Sequence, residues 1–317
     1  MQMGWLRWLT GRRGVYVWLA LASLALLAVY ASMWAFGSGV NKTMLSDLQA
    51  YGTAAMFAIH PVYFLGAMVF QATRAQALTE TFASTPRIDA FSERIFRMPV
   101  WTPAVIVLGA LLGAQQNIRL IQYMTSKGEY GMADVVFVVG NIMVWAAVGL
   151  LLTWRIRLSL ALSQVGNAVQ IDLLDFSNII PIRKLATTDV LIVMGALSFM
   201  ALQSLDAQFR LSNYVWGMLA GVPSALILFL TPLWGLRRNI TRQKAARLEV
   251  LGEELREVPR DDTQRLELVS AHIDRVRQIP SWPIDVRLVT RIISYIIIPP
   301  LAWVGAAIVE GYVQGPD

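Results

Sequence analysis

The chain contains no cysteine, only two histidines (His60 and His272) and few charges, 15% of its residues. Without cysteine it can form no disulfide, thiolate metal site, cysteine nucleophile or palmitoyl anchor. Ionisable side chains are nearly missing from its apolar stretches, so proton relays and acid/base pairs at membrane depth have little to be built from. No HExxH, paired intramembrane aspartates, P-loop or TVGYG filter occurs, and no ladder of arginines at every third position marks a voltage sensor. "GALS" around Ser198 lacks the following glycine expected of a membrane serine protease. These absences predict a protein that is not an enzyme and holds no cofactor or metal.

What the chain has in excess is apolar surface. Hydrophobic residues make up 56% of its 317 positions, and the mean hydropathy is +0.52, a balance a soluble protein of this length would struggle to keep in solution. The composition predicts an integral membrane protein. A net charge of +6 would suggest nucleic acid in a soluble domain; in a membrane protein it reflects the gathering of Lys and Arg on the cytoplasmic side. No nucleic-acid partner is expected, and the lipid bilayer is.

Crossing roughly 30 Å of hydrocarbon at about 1.5 Å per residue needs about 20 apolar residues. Such runs lie near 15–36, 53–73, 101–122, 133–153, 187–206, 214–235 and 288–310. The third is the weakest, because "GAQQNIR" (113–119) turns polar before full length, as in a short, tilted or cavity-facing span. The first follows Arg7, Arg12 and Arg13 and reads as a retained anchor, since its apolar core exceeds a signal-peptide h-region and no small-residue cleavage site follows. Arg74, Arg87, Arg94 and Arg97 follow span two; Arg155, Arg157, Arg183 and Lys184 follow span four; Arg237, Arg238, Arg242 and Lys244 follow span six. All strongly basic segments fall on one side. The expected fold is therefore all-α and polytopic: seven transmembrane helices, amino terminus in and carboxyl terminus out, with a cytoplasmic helical hairpin. Its parts are residues 1–235 (spans one to six with cytoplasmic loops 74–100 and 154–186), 236–287 (the hairpin) and 288–317 (the last, proline-broken helix and external tail).

In "RIDAFSERIFRM", Ile88, Phe91, Ile95 and Phe96 share a helical face opposite Arg87, Glu93, Arg94 and Arg97, which suits an interfacial helix or one packed on its neighbours. Pro181 marks a boundary in "IDLLDFSNIIPIRKL". In the hairpin, Ala245, Leu248, Leu251 and Leu255 form one stripe and Leu266, Val269, Ile273 and Val276 another, with Pro259 and the Asp261-Asp262 cap between them. Such a pair can stand alone in solvent, bind the same hairpin of other subunits, or dock a partner. Trp282 in "SWPID" suits the headgroup layer.

The candidate polar pocket comprises His60, Gln115, Gln116, Asn117, Arg119, Gln203 and Asp206, which would form an outward-facing vestibule if the ends of spans three and five share a space. Ordinary interface solvation is the competing account, and it is the one expected for Asp134, Asp189, Asp206 and Glu310 near span ends. His60 is either a titrating site or a neutral imidazole bonded to a neighbouring helix. "GALLG" (109–113) and "GMLAG" (217–221) match small-xxx-small, a pattern of close helix packing. In the last span, Pro299 and Pro300 free carbonyls one turn earlier, which need other helices, water or an ion. If that helix lines a pore, Ile297, Pro299, Pro300, Leu301, Val304 and Ile308 face it, the apolar ones as a constriction that closes by dewetting. The same residues equally suit lipid.

Seven spans, the inward amino terminus and helices extending into the cytoplasm before the last span resemble the seven-span ion channels that include insect odorant and gustatory receptors. The last span of that family carries Thr-Tyr, five apolar residues, then Gln-Phe; here Ser294-Tyr295 precedes "IIIPP" and then Leu301-Ala302. The resemblance implies a homo-oligomer, a tetramer, with the last helix on the pore and the hairpin as anchor. "IDLLDFSNIIP" and "SWPID" onward are similar to segments of uncharacterised prokaryotic multi-span proteins, which implies an inner, cytoplasmic membrane. The leading expectation is an ion channel, with a small-molecule ligand as its gating partner. The alternatives are a transporter with its site at the broken helix, and a sensory or scaffolding protein acting through the hairpin.

Overall fold

The computed structural model describes residues 4–10, 19–28, 51–83, 88–127, 132–173, 175–205, 212–259 and 261–314. Over these it is helical, with no strand element. The helices are α1 (Gly4–Leu9), α2 (Leu19–Ala28), α3 (Tyr51–Thr81), α4 (Ile88–Ile95), α5 (Thr102–Gln116), α6 (Ile118–Lys127), α7 (Met132–Gly166), α8 (Ile180–Ser198), α9 (Ser212–Glu257), α10 (Thr263–Gln278) and α11 (Val286–Gln314). Single 3₁₀ stretches, Phe176–Ile179 and Phe199–Leu205, flank α8. Among the described residues, five helices are long and apolar enough to cross a membrane, and six if the bent pair α5–α6 counts as one span. The expected first span is described only as α2.

α3 is the most enclosed of these helices and α11 the least, with 67% and 22% of their apolar windows buried. α3 carries Phe57, Ala58, Met68, Ala72 and Ala75 into the core, and α7, α8 and the 199–205 turn pack around it. α4 is a packed helix, not one free on a leaflet: Ile88, Phe91 and Ile95 are buried, and the Ile95 carbonyl accepts from Trp154 Nε1 of α7 at 2.9 Å. Two polar residues of α9 close helix ends that would otherwise leave carbonyls without partners. Asn239 Nδ2 donates to Gly166 O at 3.0 Å and Val169 O at 2.6 Å, past the end of α7. Lys244 Nζ donates to Arg277 O at 2.6 Å and Ile279 O at 2.9 Å at the end of α10, where a cation also meets the negative pole of the helix.

The hairpin forms on the expected stripes except at Ala245, which is exposed. Leu251, Val258, Val269, Ile273 and Val276 make a small core of their own, with Leu248, Leu255, Leu266 and Ile279 against it. Asp262 caps α10 by accepting from the Arg265 amide at 3.1 Å. Position 236 lies within one helix: α9 runs unbroken from Ser212 through Pro223 and Pro232 to Glu257, so the sixth apolar run and the first arm of the hairpin are one rod. At the junction, the Arg237 guanidinium lies 4.9 Å from the Trp234 ring and 4.7 Å from the Trp282 ring.

One expectation about helix breaks is overturned. The last helix is not broken by its prolines; α11 is continuous from Val286 to Gln314 across Pro299 and Pro300. Packing holds the helix through this stretch: Pro299 is buried, Tyr295 and Ile296 lie against the core, and Trp303 Nε1 donates to Leu197 O at 3.2 Å. The break falls at Asn117, where α5 and α6 meet at 66°. That is within the "GAQQNIR" stretch whose polarity made the third run the weakest.

Candidate functional site

Among the described residues, the candidate polar side chains are divided between two places. Gln116 turns toward α7, and Asn117 bonds back to α5. Gln116 Oε1 accepts from Trp145 Nε1 at 2.9 Å and Asn141 Nδ2 at 3.2 Å, while Gly113 O accepts from Asn117 Nδ2 at 3.0 Å and Asn141 Nδ2 at 3.3 Å. This network satisfies the groups freed by the break, and it depends on close approach. A Cβ on Gly109 would overlap the Trp145 carbonyl, and one on Gly113 would lie 2.9 Å from Asn141 O. "GALLG" is thus a packing face within the subunit. Gln115 and Arg119 are exposed. Asn141 and Trp145, unread as partners from the sequence, were signalled by one amide in an apolar run and an indole one helical turn later.

His60 lies elsewhere, on α3. Its Nδ1 is 3.0 Å from Met56 O and its Nε2 3.0 Å from Ala196 O of α8, with Phe64 and Phe199 against the ring. It is a helix-tying imidazole in a packed setting. The backbone of Gln203 lies in the 199–205 turn, which packs on α3 and α11, and Asp206 is outside the described residues. Of the pore candidates, Ile297, Leu301, Val304 and Ile308 are all exposed on α11, at 46%, 64%, 58% and 56%. Pro299 points into the protein and Pro300 is half-buried.

The charged centre of the molecule is one the sequence reading assigned to interface solvation. Asp189 of α8 is not at a solvated helix end. Its side chain is fully buried and ion-paired with Arg155 of α7, itself only 3% exposed. Asp189 Oδ1 also accepts from Gln71 Nε2 of α3 at 2.7 Å, and Gln71 has no exposure. Three helices therefore meet through one carboxylate. Around it, Asp189 Oδ2, Gln71 Oε1 and Nε and Nη1 of Arg155 have no hydrogen-bond partner in the protein. Two acceptors and two donors are thus buried in one junction without a protein partner, enough to bind a small polar group or to re-pair when a helix shifts.

Such a pair is costly to bury and is no source of net stability, whereas removing one member strands the other at a cost of about 3–5 kcal/mol. Its retention fits a role in fixing which helices meet, or in switching between two arrangements. Along α7 it lies about 15 Å from Trp145, at ~1.5 Å per residue. One helix thus carries a polar layer at the α5–α6 break and a charged layer beyond it, separated by apolar turns. Among the described residues, no cluster of three His, Asp or Glu could hold a metal. No family model, curated protein or solved structure matches this chain.

Proposed function

We propose that this chain is an integral membrane protein of seven spans, amino terminus in and hairpin in the cytoplasm, and that it carries a small solute across the membrane as a transporter. The observation that carries the reading is the buried Arg155–Asp189 pair held by Gln71, where α3, α7 and α8 converge. A buried ion pair locks these helices while both charges are matched, and it releases when a proton takes the carboxylate or an anionic group competes for the guanidinium. The bent α5–α6 element adds support, because discontinuous helices commonly frame transport sites. The channel expectation has lost two of its grounds, the broken last helix and the lack of buried charge. It keeps the topology, and the exposed apolar face Ile297, Leu301, Val304 and Ile308 supports a second reading in which copies of α11 surround a shared pore.

Two measurements on the purified protein separate the readings: its mass in mild detergent, and single-channel recording in planar bilayers. The transporter reading expects a monomer or dimer with no unitary openings. A discrete tetramer whose unitary conductance changes on Leu301→Ser or Val304→Ser would overturn it in favour of the pore.

A further inference from the structure

Two cavities on the flank of α3 and α8 share a wall and differ in chemistry. An apolar groove of about 430 Å³ lies between α2, α3 and α8, with Leu19, Ser23, Tyr63 and Gly66 on its walls. A smaller cavity of about 160 Å³ lies between α3, α8 and α11, and holds Arg74, Lys184 and Arg291 together with the phenol of Tyr295. Phe70, Thr188 and Leu191 line both. No carboxylate lines either cavity, and none of the three cations is ion-paired among the described residues. The Arg74 guanidinium sits 5.1 Å over the Phe70 ring, at the seam of the two spaces. Arg74, Lys184 and Arg291 come from three different helices, so only the folded chain collects them.

We propose that this bipartite cavity binds one anionic phospholipid, its phosphate among Arg74, Lys184 and Arg291 and an acyl chain in the groove beneath α2. Charge complementarity identifies the occupant. Three cations with no ion pair among the described residues, next to an apolar groove, match a molecule that is anionic at one end and hydrocarbon at the other, and basic pockets between membrane helices are sites for such headgroups. A free anion would leave the groove empty, and a neutral lipid would leave the three like charges of one cavity without a counter-charge. The lipid would join α2 to α3 and α8, whose described contact includes Leu19 Cδ1 against Gly66. This inference is independent of the transport reading.

The test is native mass spectrometry of the delipidated full chain with equal amounts of phosphatidylglycerol and phosphatidylcholine of matched acyl chains. The native protein should retain phosphatidylglycerol in preference. The variant R74Q/K184Q/R291Q should lose that preference about 100-fold, each basic residue contributing about five-fold toward an anionic lipid. The control R247Q/R256Q/R275Q, with the same charge change on exposed hairpin positions, should keep it. Ser23→Trp, which fills the groove and leaves the cations, should also weaken retention. Equal retention of both lipids by the native protein overturns the proposal whether or not the variants fold. Parallel loss in both triple variants overturns it too, as does displacement of the lipid by millimolar inorganic phosphate with S23W unaffected, which would make this an anion site without a lipid.

Discussion

Asp285 begins α11 and at the same time ties it to α8 through Arg183. One carboxylate oxygen pairs with the Arg183 guanidinium, and the other accepts from the Leu288 amide at 2.7 Å. The hydrogen bond from Arg183, then the one from Leu288, holds this carboxyl below its ordinary range. Its contribution is therefore complete above the ordinary carboxylate pKa of about 3.9 and is lost as pH falls through the lowered value. Asp285→Ala should cost about 1 kcal/mol, mostly as a lost cap, because the half-exposed pair adds little in solvent. Thermal unfolding followed by tryptophan fluorescence should show a constant difference between native and variant protein from pH 7 to 5. The gap should narrow only below pH ~4. A gap that closes between pH 7 and 5 would assign the effect to another group.

The junction of Gln71, Arg155 and Asp189 predicts strong non-additivity. Arg155→Met and Asp189→Leu should each destabilise by about 3–5 kcal/mol, because each leaves a buried group without its partner. The double variant should recover most of that loss, since two apolar side chains can fill the junction. The check is a double-mutant cycle by denaturant or thermal unfolding in one detergent. Additive losses would mean that the charges do not depend on each other.

Two glycines should respond with opposite sign. Gly113→Val forces a side chain into the Asn141 backbone and pulls the Gln116–Trp145 hydrogen bond apart, a loss of at least about 2 kcal/mol. Gly252 on α9 has nothing within 4 Å of a Cβ, so Gly252→Ala should stabilise by about 0.5–1 kcal/mol through helix propensity alone. Melting temperatures of the two variants would decide. A neutral Gly113→Val would refute the close α5–α7 approach.

Orientation can be read with single cysteines, because the native chain has none to interfere. Ser270→Cys on the exposed face of α10 should be labelled by an impermeant maleimide only after the cells are opened. Ser126→Cys at the end of α6 should be labelled in intact cells. The reverse pattern would invert the proposed topology.

Much of the local structure was legible in the sequence, for reasons that are themselves local. The hairpin followed from two stripes at helical spacing and the Asp262 cap, and the buried face of α4 from Ile88, Phe91 and Ile95. The weakness of the third run followed from amides that cannot lie in lipid unpaired. These signals depend on residues within a turn or two of one another. Glycine spacing also pointed to the α5 packing face, although it could not name α7 as the partner.

Long-range pairing was not legible. Asp189 looked like a solvated helix end because its distance from water depends on Gln71 and Arg155, which come from two other helices. Pro299 and Pro300 promised a break, yet α11 stays helical because Trp303 and the buried face around Pro299 hold it to α8. Composition and periodicity by themselves determined that this is a helical membrane protein with a polar hairpin, because burying apolar stripes is a property of each segment. Only the tertiary structure decided where the charges are buried, where a helix bends and which cations share a cavity, because desolvation and hydrogen-bond partners are set by the neighbours that a segment acquires on folding.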